Sequence, residues 1–180
     1  MSSTTGNVIE RELYPTPSSA VAALMRHIKF RQGDTFMEPC RAEGNIYDAV
    51  PLPDGQKEWA EIRHGRDYLA WDFGRKFDVI ITNPPYGERL GEEELIKPLY
   101  QGLGKKLQAL FVASPADVTL GVLAAKVEQA DVLPIAEPKT LRCHNGAIVV
   151  YFRYGELLKS KDTPLITRFE KREIQVEEGQ

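Results

Sequence analysis

The fold of this chain is decided by residues 77–86, which read FDVIITNPPY. The first six of these residues are nearly all apolar. Such a run is typical of a parallel strand that is buried on both faces of its sheet. The run stops at Asn83, after which two prolines fix two φ angles and remove two backbone donors. We therefore predict a buried strand over residues 77–82 that ends in a stiff loop.

On both sides of this strand, apolar periodicity and turn residues predict alternating helices and strands. Before it we predict a helix over 20–28 with Ser18 and Ser19 as caps, a strand over 35–37, a helix over 44–50 and a strand over 59–62. After it we predict a helix over 92–107 that Pro98 kinks or splits, a strand over 109–113, a helix over 116–129, and strands over 132–135 and 148–152. This order predicts an α/β fold with a Rossmann-like, doubly wound, mostly parallel sheet in a three-layer sandwich. The last two strands should form an antiparallel hairpin around Asn145 and Gly146.

Length and composition indicate one globular domain. The 180 residues are 42% hydrophobic and 27% charged, and no apolar run approaches the roughly 20 residues of a membrane span. Residues 1–11 lack the pattern of a secretory signal, so we expect a cytoplasmic protein without a membrane partner. Cys40 and Cys143 lie far apart without companion ligands, so we expect neither a disulfide nor a metal site. We divide the chain into an N-terminal arm (1–12), one domain (13–155) and a peripheral polar tail (156–180).

The loop after the central strand carries groups suited to holding an amino group. In open α/β sheets, ligands bind outside the carboxyl ends of the strands. There, the side-chain oxygen of Asn83 and the carbonyl of Pro84 could both accept hydrogen bonds from one amine, and Tyr86 could stack on a planar base. An aromatic amine is a poor nucleophile because its lone pair is delocalised into the ring. Two acceptors that hold its hydrogens would return the pair to nitrogen, and orientation would then supply most of the catalysis.

This tetrapeptide after an apolar strand resembles the catalytic NPPY motif of S-adenosylmethionine-dependent DNA N6-adenine methyltransferases. The resemblance extends over residues 13–154, so that the domain at 13–155 is expected to be a methyltransferase domain. It implies S-adenosylmethionine as cofactor and a flipped adenine as the methyl acceptor. The implied catalytic residues are Asn83, Pro84, Pro85 and Tyr86.

A second resemblance concerns the cofactor. Residues 38–46, which read EPCRAEGNI, resemble the loop that this family places against the methionine part of the cofactor, with Ala42 where the family has its first glycine. Glu61 is spaced to bind both ribose hydroxyls, Asp67 matches the residue that accepts from the cofactor's adenine amine, and Thr16 could bind the cofactor carboxylate. The full set of predicted cofactor residues is Tyr14, Thr16, Pro17, Glu38, Pro39, Cys40, Gly44, Asn45, Glu61, Ile62, Asp67, Tyr68 and Asn83.

The sequence says less about which nucleic acid is bound than about the cofactor. Residues 67 and 83 are too close to enclose a separate recognition domain, so we expect a small form whose specificity comes from the loops at 87–93 and 139–145, from a homodimer or from a partner subunit. The net charge of −3 is low for a nucleic-acid enzyme, because phosphate contacts need lysine and arginine on one face. Candidate basic residues are Arg41, Arg63, Arg66, Arg75, Lys76, Arg89, Lys105, Lys106, Lys139 and Arg142.

Several substrates are compatible with the same tetrapeptide. We predict DNA adenine, with an RNA base, the N4 amine of DNA cytosine or a protein glutamine amide as alternatives. The replacement of glycine by Ala42 and the acidic net charge also leave open a non-catalytic subunit that binds nucleic acid or a partner chain.

Overall fold

The computed structural model describes residues 15–70, 75–87, 93–111, 117–158 and 176–178. The first half contains α1 (Ser18–His27), β1 (Phe36–Glu38), α2 (Asn45–Ala49) and β2 (Lys57–Trp59), with short 3-10 helices at Asp54–Gln56 and Ile62–His64. The second half contains β3 (Val79–Thr82), α3 (Glu93–Phe111), β4 (Thr119–Ala124), α4 (Val127–Ala130), β5 (Ile135–Asn145), β6 (Ile148–Leu157) and β7 (Val176–Glu178).

The seven strands form one sheet in the order β2-β1-β3-β4-β6-β5-β7. Strands β1 to β4 pair in parallel, whereas β6 is antiparallel to both β4 and β5. The predicted hairpin is confirmed, since Asn145 pairs with Ile148 across a turn in which Gly146 has φ 64°. A left-handed φ of this kind favours glycine. The predicted α/β class with a doubly wound, mostly parallel sheet is also confirmed.

Apolar side chains cover both faces of the sheet. Ile80 packs in a cluster with Leu103 and Leu107 of α3, whereas Val79 and Ile81 pack in a second cluster with Leu24 of α1. All four residues of β3 are buried. Helices on both faces therefore explain why this strand is a continuous apolar run, and they produce the predicted three-layer sandwich.

Two predicted elements are wrong. Residues 109–111 belong to α3 and not to a strand, and residues 119–124 form β4 where we predicted a helix. Leu99, Leu103 and Leu107 recur every four residues, so the helical period runs on into the apolar segment at 109–111. Strand β4 has five buried residues out of six, and a short apolar run of this kind has no periodicity that separates a buried strand from a helix.

Several boundaries also differ from prediction. Helix α1 begins at Ser18 itself, after Pro17, and no side chain caps it. Helix α3 continues through Pro98, so the helix is not split there. Strand β2 covers 57–59 and not 59–62, because the chain bends after Ala60 to pair Glu61 with Arg66. The strand predicted at 132–135 instead begins at Ile135, and β6 extends to Leu157.

Gly121 in β4 provides a test of the packing between the central strands. A Cβ atom on this residue would lie 2.6 Å from Cζ of Phe152, which is fully buried. We expect Gly121→Ala to lower the free energy of unfolding by about 1–3 kcal/mol, as overpacked cores do, and denaturant titration would measure it. Gly55→Ala is the control, since nothing lies within 4 Å of its added methyl. Equal stability of the two variants would contradict this packing.

Candidate active site

A cleft opens at the carboxyl ends of β1 and β3, on the side of the sheet that α3 covers. It encloses about 810 Å³, part of it open to solvent. Ten of the predicted site residues line it: Pro39, Cys40, Glu61, Ile62, Asp67, Tyr68, Asn83, Pro84, Pro85 and Tyr86. Ala42, Leu69, Leu99 and Leu103 complete the wall. The two resemblances in the sequence therefore meet in one cleft, as expected for residues that follow neighbouring parallel strands.

The loop after β1 keeps a glycine-like conformation although its first glycine is replaced. Ala42 has φ 48°, in the left-handed region that non-glycine residues avoid. Its backbone N–H donates to Oε2 of Glu61 at 2.8 Å. Gly44, with φ 88°, precedes α2, and its Cα lies so close to Arg41 that a Cβ would be 3.0 Å from the guanidinium. The hydrogen bond and the close packing hold the loop in shape.

The strain at Ala42 leads to a prediction. Left-handed backbone costs an alanine about 1–2 kcal/mol, whereas glycine adds about 0.5–1 kcal/mol of backbone entropy. We expect Ala42→Gly to raise the free energy of unfolding slightly, by up to about 1 kcal/mol, and to retain or tighten binding of S-adenosylhomocysteine in calorimetry. Ala49→Gly, at the end of α2, is the matched control and should instead lower stability by about 0.5–1 kcal/mol. Equal losses in the two variants would show that Ala42 is not strained.

Glu61 is anchored in the cleft wall. Its side chain is buried, and Oε1 accepts hydrogen bonds from the backbone N–H and the Nε of Arg63, at 3.3 and 3.2 Å. Together with the Ala42 contact, these bonds fix the plane of the carboxylate. Each ionised oxygen can accept more than one hydrogen bond, so the predicted contact with ribose hydroxyls is compatible with this geometry. Asp67 lies further along the wall, where its Oδ1 accepts from the N–H of Leu69 at 3.0 Å.

Asn83 follows β3 and lies in a chain of polar contacts. Its Nδ2 donates to Oγ1 of Thr16 at 2.9 Å, and its Oδ1 accepts from the hydroxyl of Tyr86 at 2.5 Å. The Tyr86 hydroxyl in turn accepts from Nδ2 of Asn145 at 3.0 Å, and the Tyr86 carbonyl accepts from Nε2 of Gln129 at 2.8 Å. The amide oxygen that we predict to hold the substrate amine is therefore oriented by contacts at both ends of its side chain.

Tyr86 is placed differently from the sequence expectation. We predicted an aromatic face on which a base could stack, but the side chain is 2% exposed and its hydroxyl lies within the polar chain. A stacking role requires the ring to be uncovered first. Thr16 also has an unexpected contact, because its hydroxyl faces Asn83 and its carbonyl accepts from Nδ2 of Asn45 at 2.8 Å.

Comparison with known proteins identifies the family. Residues 55–161, more than half of the chain, match the family model described as UPF0020, the RMKL-like methyltransferase domain. The chain belongs to this family. As a methyltransferase domain of this family it uses S-adenosylmethionine, which confirms the predicted cofactor.

Two curated relatives share part of this methyltransferase domain. The chain is 67% identical over 102 residues to the ribosomal RNA large subunit methyltransferase K/L of Psychrobacter arcticus, and 41% identical over 119 residues to that of Acinetobacter baumannii. These matches cover 57% and 64% of the chain but 13% and 16% of the relatives. The chain therefore spans less than a fifth of the length of these relatives.

Solved structures share the fold of the methyltransferase domain at low identity. A "possible methylase" from Clostridium difficile 630 has a TM-score of 0.61 and 15% identity, over 84% of this chain and 56% of that one. SMU.472, solved in complex with SAH, has a TM-score of 0.55 and 12% identity, over 85% and 57% of the two chains. At these identities the similarity shows the common fold.

The acidic residues near the loop that follows β1 are compatible with a cationic cofactor. The Glu38 side chain is 1% exposed, and its Oε2 has no hydrogen-bond partner among the described residues. Burial raises the pKa of this carboxyl well above its usual value, although a backbone hydrogen bond from Tyr47 and the charge of Arg41 oppose the shift. The methionine part of S-adenosylmethionine carries an ammonium group, which would satisfy such an oxygen. The acidic side chains at this loop therefore fit a cationic cofactor, with Glu61 and Asp67 in the lining of the cleft and Glu38 beside it.

Cys40 lines the same cleft with a thiol whose ionisation is opposed by burial. Burial raises the pKa of its thiol to about 12, with nearby Glu61 and Glu38 adding to the effect of burial and a hydrogen bond with Thr82 opposing it. The thiolate is the reactive form of cysteine, so the same burial lowers the reactivity of this thiol at neutral pH. Within the part of the chain that the structure describes, no three His, Cys, Asp or Glu residues are grouped to hold a metal ion.

Other predictions remain outside the cleft or outside the described residues. Thr16, Pro17, Glu38, Gly44 and Asn45 lie around the cleft without lining it, and Tyr14 and Arg89 fall outside the described residues. Three of the candidate basic residues are paired with carboxylates: Arg63 with Glu61 and Glu43, and Arg66 and Arg75 with Glu58. No helix in the described ranges is long and apolar enough to cross a membrane.

The sequence analysis did not identify four residues that contact Tyr86 or line the cleft. Asn145 and Gln129 reach Tyr86 from the far end of the sheet and from α4. Leu99 and Leu103 of α3 form part of the cleft wall. The helical spacing of the two leucines could have indicated this wall. The sequence placed Asn145 in a recognition loop at 139–145, which is wrong because these residues belong to β5, and it gave no sign of the contact with Tyr86.

Proposed function

We propose that this methyltransferase domain transfers the methyl group of S-adenosylmethionine to the exocyclic amine of a purine base in the large ribosomal RNA. The observation that carries the proposal is the placement of the Asn83 amide at the wall of the cleft, with its oxygen fixed by Tyr86 and its nitrogen by Thr16. The similarity to ribosomal RNA large subunit methyltransferases supports RNA as the polymer. A cytoplasmic location would follow from that substrate.

The residues that line the cleft would then have distinct roles in binding the substrate amine and the cofactor. Oδ1 of Asn83 and the carbonyl of Pro84 accept hydrogen bonds from the two amine hydrogens, which turns the nitrogen lone pair out of the ring and towards the cleft. When bound, S-adenosylmethionine would supply an electrophilic methyl group and leave as S-adenosylhomocysteine, while the methylated amine loses one proton to solvent. Glu61 and Asp67 hold the nucleoside half of the cofactor, and Leu99 and Leu103 exclude water from it. Catalysis by these residues is then positioning and electrostatics, with no covalent enzyme intermediate.

The proposal changes the polymer that the sequence favoured. The tetrapeptide resembles that of DNA adenine-N6 enzymes, whereas the curated relatives are named for ribosomal RNA. Adenine N6 and guanine N2 are both exocyclic purine amines, so the same pair of acceptors suits either base. Because the chain spans only a small part of these relatives, base choice and recognition sequence are part of the test.

The test is methyl transfer by the purified chain to four pools: ribosomal RNA freed of protein, total RNA from which ribosomal RNA has been removed, single-stranded DNA and duplex DNA. Labelled S-adenosylmethionine and nucleoside analysis identify the product, and Asn83→Ala serves as the inactive control. We expect a methylated purine in the ribosomal RNA pool. N6-methyladenine in DNA alone would overturn the RNA proposal and restore the DNA prediction. Retained cofactor binding without transfer to any pool would overturn the proposal for this chain and would favour a partner-dependent or non-catalytic subunit.

A further inference from the structure

Asn145 reaches the proposed amine site through Tyr86. It ends β5, 59 positions from Tyr86 in the sequence, and is 5% exposed. Its Nδ2 donates to the Tyr86 hydroxyl, that hydroxyl donates to Oδ1 of Asn83, and Nδ2 of Asn83 donates to Oγ1 of Thr16. The three hydrogen bonds run in one direction, so each donor sets the orientation of the next group.

This direction matters because an asparagine amide can be turned over. If the Asn83 amide rotated by 180°, its NH₂ would occupy the place of the oxygen and would repel an amine that needs an acceptor. The hydroxyls of Thr16 and Tyr86 can each donate or accept, so by themselves they are compatible with both orientations of Asn83. Asn145 sets the direction because its NH₂, and not its amide oxygen, lies 3.0 Å from the Tyr86 hydroxyl, and an NH₂ group can only donate.

We propose that Asn145 is a positioning residue that fixes the catalytic amide of Asn83 through the hydroxyl of Tyr86. With the Asn145 donor on its oxygen, Tyr86 directs its proton to Asn83, and the amide presents oxygen to the place of the substrate amine. The second lone pair of that oxygen accepts from the amine. Buried hydrogen bonds in series also strengthen one another. This inference rests on the proposed amine-directed methyl transfer.

The first test is the turnover of two variants at Asn145. Asn145→Leu removes the donor at similar volume, and Asn145→Asp, once ionised, only accepts and so draws the Tyr86 proton away from Asn83. We expect kcat for methyl transfer to ribosomal RNA to fall about tenfold in the first variant, as for one lost buried hydrogen bond, and further in the second. Calorimetric binding of S-adenosylhomocysteine should stay within about threefold of wild type, which also shows that each variant is folded.

A double-mutant cycle separates positioning from general damage to the hairpin. Tyr86→Phe keeps the ring and removes the hydroxyl, so in this background Asn145→Leu should cause no further loss of kcat. Glu156→Gln is the control, because this residue of the paired strand β6 is exposed and lies outside the proposed site. Multiplicative losses in the cycle, or full activity of Asn145→Leu, would overturn the inference while leaving the proposed function intact. An inactive wild-type chain that binds the cofactor would overturn both.

Discussion

Asn83→Ala is expected to lower the rate of methyl transfer by about 10²–10³-fold, the loss typical of removing one group that stabilises developing charge. The variant lacks the amide oxygen that we propose to accept from the substrate amine. It also frees the hydroxyls of Tyr86 and Thr16 from their contacts with Asn83. Single-turnover transfer to ribosomal RNA measures the effect, and calorimetry with S-adenosylhomocysteine should show binding within a few-fold of wild type.

Asn83→Asp is the matched control for this prediction. The carboxylate keeps the acceptor for Tyr86 and for the amine but loses the donor to Thr16. We expect it to retain measurable transfer, well above that of Asn83→Ala. Full activity of Asn83→Ala would show that another group holds the amine. Equal loss of transfer and of cofactor binding would instead assign Asn83 to the cofactor half of the cleft.

The fold could be predicted where a sequence pattern favours one type of secondary structure. The apolar run at 77–82 is too short for a typical helix and is followed at once by Asn83 and two prolines, which favours a buried strand and a stiff loop. The turn at Gly146 requires a residue that tolerates positive φ. The pattern of residues 109–124 is ambiguous, because its apolar residues are compatible with either a helix or a strand buried on both faces. Pairing with β3 on one side and β6 on the other decides that β4 is a strand. These partners are distant in sequence, so no local pattern shows them.

The same distinction applies to the site. Asn83 was predicted as a site residue because it directly follows a strand, at the edge of the sheet where ligands bind. Glu61 was predicted from its spacing to the loop at 38–46. Asn145 was placed in the predicted hairpin, but its contact with Tyr86 joins the end of β5 to the loop after β3, and β4 and β6 lie between these strands in the sheet. The departure at Ala42 was visible in the sequence, yet only the structure shows that the loop keeps a left-handed φ there. Local motifs therefore indicated the groups that we propose to contact the ligands, and long-range packing revealed the groups that orient them.

Glu61→Ala is expected to weaken cofactor binding by about 10–100-fold, since hydrogen bonds to a charged group contribute about 1.5–3 kcal/mol. The variant would lose the proposed contact with the ribose hydroxyls. It would also leave the N–H of Ala42 without its acceptor, in a loop whose backbone is already strained. Calorimetric titration with S-adenosylhomocysteine gives the dissociation constant, and denaturant titration should show a loss of about 1–3 kcal/mol in the free energy of unfolding.

Two further variants separate the ribose contact from the support of the loop. Glu61→Gln keeps an oxygen that can accept from Ala42, so it should recover most of the stability but only part of the affinity. Glu43→Ala removes the other, exposed partner of Arg63, whose oxygen lies 3.7 Å from the guanidinium, and should change neither quantity by much. If Glu61→Ala loses stability but binds the cofactor as tightly as wild type, the carboxylate serves only the loop. A loss of affinity in Glu61→Gln at wild-type stability would assign the ribose hydroxyls to Glu61, because only the ligand contact has then been weakened.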